Sequence, residues 1–87
     1  MTRYTQRQKY VLRALGNGAK IRAYENGAGD MCFSSEEDGL RAVLCLTLTM
    51  RALCAKGAVL AFKNTDCVIT GEGVRAIINP VARCYRG

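Results

Sequence analysis

Histidine is absent from this 87-residue sequence, and no two of its five cysteines form a CxxC pair. A Ser or Cys nucleophile therefore has no imidazole to take its proton, and the cysteine and histidine pairs that hold structural zinc are missing. No glycine-rich loop followed by lysine is present to cradle a phosphate. The densest carboxylates, Glu36, Glu37 and Asp38, are consecutive in a polar run. That places them on a solvated turn rather than opposite one another across a cleft. The expectation is a non-enzymatic protein with no catalytic residues, no metal and no cofactor.

Long apolar runs are also lacking. Nothing in Met1 to Gln8 resembles the apolar core of a secretory signal. The stretch from Leu40 to Leu48 is interrupted by Arg41 and Thr47 and falls well short of the ~20 residues that a membrane helix needs. Cys32, Cys45, Cys54, Cys67 and Cys84 are odd in number and widely spaced, which is no disulfide framework. Most of them read as small core hydrophobes in a reducing compartment, so a cytoplasmic location with no membrane partner is expected. Cys84, in a basic tail beside Arg83 and Arg86, is the thiol whose ionised form is best favoured.

What is present is a globular composition, 49% hydrophobic and 23% charged, in a length that suits one domain over residues 1–87, monomeric or homodimeric. Charge is unevenly distributed. Residues 1–24 carry Arg3, Arg7, Lys9, Arg13, Lys20 and Arg22 with no acidic residue, and residues 25–38 carry Glu25, Asp30, Glu36, Glu37 and Asp38 with no basic one. The remainder is basic again, leaving a net charge of +6. A basic body with one acidic flap suits a nucleic-acid partner or an acidic protein surface.

Thr5 and Gln8 have capping-box spacing and open a first helix with an apolar stripe of Tyr10, Val11, Ala14 and Leu15, stopped by Gly16-Asn17-Gly18. From Ala19 the period becomes two, with Ala19, Ile21 and Ala23 on one side of a half-buried strand. Glu25 to Asp30 supply a hairpin loop, and Met31 to Ser34 return as its partner. Leu40 to Leu44 fit a third strand better than an early helix, giving a β-hairpin or a three-stranded meander. Thr47 can cap a second helix over about 47–56, with Leu46, Met50, Leu53 and Cys54 inward and Gly57 at its left-handed end. Ala58 to Phe62 and Cys67 to Thr70 form a second hairpin around Lys63 to Asp66. Thr70 then caps a short helix through Gly73, Val74 and Ile77, which Asn79-Pro80 ends.

The run Met50 to Val59 followed by Cys67-Val68-Ile69-Thr70-Gly71-Glu72-Gly73 resembles the ending of many bacterial and phage winged-helix proteins. The resemblance covers about a third of the chain and implies an α+β, winged-helix-like fold whose second hairpin is the wing. The whole-chain order, with Gln6-Arg7-Gln8 and Leu12 to Ile21 at its start and Cys45 near a matching cysteine, is similar to the YjhX-type small bacterial proteins. That resemblance implies a toxin that inhibits a DNA topoisomerase by direct binding, while the acidic Ser35 to Asp38 turn departs from the family. A helix-turn-helix unit needs a scaffold helix just before its recognition helix, where Met31 to Leu44 are expected to be strands. The outer face of the second helix, Leu48, Arg51, Ala52, Ala55 and Lys56, has no Asn or Gln for paired base contacts.

Two functions follow as expectations. The first is duplex DNA binding by Arg51, Lys56 and the wing residue Lys63, assisted by Arg7, Lys9 and Arg13 of the first helix. The second is binding to a nucleic-acid-processing protein, as a toxin, topoisomerase inhibitor or phage counter-defence protein.

Overall fold

The computed structural model describes the backbone of residues 3–43 and 45–84 and the side chains of residues 3–43 and 45–78. Its first helix, α1 (Gln6–Gly16), starts with the expected capping box. Gln8 N donates to Thr5 Oγ1 at 3.1 Å, and Thr5 N donates to Gln8 Oε1 at 3.0 Å. Gln8, Val11, Leu12 and Leu15 form the buried face. This corrects the expected stripe, because Tyr10 points outward and Ala14 is only partly covered. The helix ends in a Schellman motif: Ala19 N donates to Ala14 O, Gly18 N donates to Leu15 O, and Gly18 takes the positive φ of 97° that glycine tolerates.

Two strands follow, β1 (Arg22–Glu25) and β2 (Met31–Ser34), antiparallel with Ala23 opposite Phe33. Ile21, Ala23 and Phe33 reach the core, as the alternation requires. Asn26 organises the loop, its Oδ1 accepting from the N–H groups of Ala28 and Asp30.

The next segment departs from expectation. Instead of a third strand, the chain makes one helical turn, α2 (Asp38–Arg41), so the hairpin is not extended to a meander. A single inward residue, Leu40, is buried here, and one turn of helix can deliver it while the surrounding polar residues stay in water. Leu44, the last residue of the expected strand, lies outside the described residues. After Cys45, whose backbone is left-handed, α3 (Leu46–Ala55) buries Thr49, Met50 and Leu53. Thr47 does not cap it. Its hydroxyl instead accepts from Phe33 N at 3.2 Å and donates to Phe33 O, tying α3 to β2. A second Schellman motif ends α3, with Ala58 N donating to Leu53 O, Gly57 N donating to Cys54 O, and Gly57 at φ 79°.

The second hairpin has shorter strands than the alternation suggested: β3 (Val59–Leu60) and β4 (Val68–Ile69), with Leu60 opposite Val68. Its turn does not project freely. Ala23 N donates to Thr65 O, Asn64 N to Ala23 O and Cys67 N to Ile21 O, and Arg22 bridges Asp66. The two hairpins are thereby joined through β1.

Thr70 caps the last helix, α4 (Gly71–Cys84), its Oγ1 accepting from Gly73 N and donating to Gly57 O. α4 continues past Pro80, against the expected stop. Proline's fixed φ is compatible with a helix, although it lacks the N–H that would reach the Ala76 carbonyl. Gly73 lets α4 approach closely, since a Cβ there would collide with the Ala58 carbonyl and stand 2.7 Å from Ile69 Cγ1. Among the described residues the result is a small α+β domain with four helices and two small antiparallel sheets around one core of Val11, Leu12, Ile21, Leu40, Met50, Leu53 and Val59.

Candidate functional site

The six cations expected to meet a partner separate into two groups. Arg51 on α3 folds back, with Nε and Nη2 donating to Met31 O at 3.1 and 2.9 Å. Lys56, which follows α3, donates to Arg3 O and to Gln8 Oε1 at 2.8 Å, with Nζ 4.9 Å from the centre of the Tyr4 ring. Lys63, in the second hairpin, pairs with Glu25 at 3.2 Å. These three each bridge two elements: α3 to β2, the end of α3 to the start of α1, and one hairpin to the other. Arg7, Lys9 and Arg13 lie away from them on α1, and among the described residues no ion pair or side-chain hydrogen bond engages them.

Tyr4 links the Lys56 cluster to α4, its hydroxyl donating to Glu72 Oε2 at 3.3 Å, while Arg75 pairs with Glu72 Oε1 at 3.0 Å. Burial, together with the Glu72 carboxylate, raises the phenol above its ordinary range.

The outer surface of α3 is apolar where Arg51 turns away. Leu48 is 61% exposed, with Ala52 and Ala55 beside it on the solvent side. The second hairpin shows the same character more strongly. Leu60 and Val68 form a cross-strand pair 52% and 57% exposed, and Phe62, two residues beyond Leu60, is 65% exposed. A side chain as large as Phe62 left in water has no role in the core. This patch was not singled out from the sequence, although Leu60 and Phe62 alternate there with Val59 and Ala61, which turn inward.

The acidic flap frames a shallow cleft of about 320 Å³ lined by Lys20, Arg22, Ser35, Glu36, Glu37 and Asp66. Ser35 fixes its wall, with Oγ donating to Lys20 O at 2.7 Å and accepting from Glu37 N at 3.1 Å. The lining mixes both charge signs, so the cleft does not select one.

Of the four described thiols only Cys67 is buried; Cys32 and Cys54 are partly covered and Cys45 is exposed, which corrects the expectation of core packing for Cys45. Burial pushes Cys67 up to about 12, with the neighbouring Cys54 and Asp66 adding to the shift, and burial raises Cys54 as well. Cys84, expected to be the most reactive, lies outside the described side chains. Among the described residues no three of His, Cys, Asp and Glu converge as metal ligands would, and no helix is long and apolar enough to cross a membrane. Comparison with protein-family models, curated proteins and solved structures finds no match.

Proposed function

We propose that this chain is a small, non-enzymatic regulator of winged-helix-like build that acts by binding another protein, with the outer face of the β3–β4 hairpin as the contact surface. The observation that carries this reading is the exposed Leu60, Phe62 and Val68 group on the element that would be the wing. Duplex reading by α3 is poorly supported by comparison. Its arginine is spent on Met31 O, and Leu48, Ala52 and Ala55 offer no donors or acceptors to base edges.

The winged-helix-like build is supported by element order. α2 precedes α3 in chain order but is a single four-residue turn, shorter than a scaffold helix, and the β3–β4 turn bridges back to β1. The resemblance to YjhX-type proteins makes a bacterial DNA topoisomerase the first partner to test.

The test is a supercoil-relaxation assay with increasing amounts of the chain, accompanied by size-exclusion chromatography of the mixture. Inhibition near equimolar ratio and co-elution are expected. Phe62→Ser should weaken both by about 30-fold, the ~2 kcal/mol of a buried aromatic anchor. Absence of both inhibition and co-elution would remove topoisomerase as the partner, and full potency in Phe62→Ser would remove the hairpin as the contact.

A further inference from the structure

We propose that the outer half of α1 is a second docking surface, independent of the apolar hairpin, that takes the phosphate backbone of duplex DNA. The buried side of α1 is set by Gln8, Val11, Leu12 and Leu15. At 100° per residue the opposite crest is then Gln6, Tyr10 and Arg13, with Lys9 about 70° to one side of its centre and Arg7 about 90° to the other. Lys9 and Arg13 are one turn apart, a rise of ~6 Å, close to twice the ~3.4 Å axial rise per phosphate of one DNA strand.

Charge selects the partner. α1 has no acidic residue in its first turn, and no acidic residue occurs before Glu25. The elements packed around α1 bring few free carboxylates to it. Glu72 of α4 is taken up by Tyr4 and Arg75. α2 approaches through Gly39, which lies under the Tyr10 hydroxyl, and its Asp38 stands 3.9 Å from Arg41. Arg7 and Arg13 are exposed and Lys9 is half-buried, so long side chains can reach outward without giving up an internal bond. Tyr10 is the large aromatic side chain of this face, and its hydroxyl suits a phosphate contact beside the cations.

The test is fluorescence anisotropy with a labelled duplex of about 20 base pairs, titrated at several salt concentrations. Three phosphate contacts give a slope of log K against log salt near −2.7, so affinity should fall about 40-fold between 50 and 200 mM salt. The combined Arg7→Gln, Lys9→Gln and Arg13→Gln variant should lose most binding and flatten the slope, while Lys63→Gln should leave the slope unchanged. Circular dichroism of each variant confirms the fold. No binding at 50 mM salt, an unaltered slope in the triple variant, or competition by polyglutamate as effective as by unlabelled duplex at equal charge would overturn the proposal. The triple variant should still co-elute with the protein partner, which separates failure of this surface from failure of the hairpin.

Discussion

Gly73 is the residue whose replacement should cost most for the smallest chemical change. One added methyl meets the Ala58 carbonyl, Ile69 Cγ1 at 2.7 Å and Leu12 Cδ2 at 3.2 Å, and the first of these is backbone. Gly73→Ala is expected to lose about 3 kcal/mol and lower the melting temperature by roughly 15 °C. Gly71→Ala, whose Cβ would meet only Arg75 Nη1 at 3.8 Å, serves as the control and should melt near the parent. Cys67 supplies a pH-dependent counterpart. Its folded thiol is held up to about 12, against an ordinary value of 9.0. Between those two pH values the unfolded chain releases this proton and the folded chain keeps it, so stability falls as pH rises, with a limiting slope of ~1.4 kcal/mol per pH unit. Urea midpoints measured from pH 8 to 11 should drop more steeply for the parent than for Cys67→Ala. Parallel curves would mean that Cys67 is not the group responsible.

At the scale of elements, both ends of α1 and the C-terminal end of α3 are where local chemistry is most legible. The capping pair Thr5 and Gln8, and the glycines that follow each helix, act within a few residues of themselves. A Cβ at Gly57 meets nothing within 4 Å, so Gly57→Ala should cost only the left-handed backbone penalty, ~1 kcal/mol or about 4–8 °C in thermal melting. A loss several times larger would show that this turn has a packing role. α2 was not legible, because four residues burying one leucine do not display a period. Thr47 was misjudged for a different reason: a hydroxyl near a helix start can serve its own backbone or a neighbouring strand, and only the arrival of Phe33 decides which. The same holds for Arg51 and Lys56, whose acceptors are Met31 O, Arg3 O and Gln8 Oε1, groups distant in sequence. Sequence identifies a cation; tertiary contacts determine whether it is available. Arg7, Lys9 and Arg13 stay outward because the apolar period of α1 turns them away from the core.

Considered as a whole, the molecule places an apolar surface on its second hairpin and a basic one on its first helix, the two contact surfaces proposed above. Lys63 shows how such a division is maintained: paired with Glu25, it joins the hairpins and leaves the area near Phe62 less cationic. The joint between the hairpins also bears on how the chain reaches this state. Arg22 and Asp66 are separated by roughly forty residues that include α2 and α3, and closing that loop forfeits chain entropy before any strand contact is gained. Neither two-stranded ribbon is independently stable. The meeting of the two ribbons is therefore expected to be the slow event in folding, so a substitution that weakens the joint should slow refolding in stopped-flow measurements.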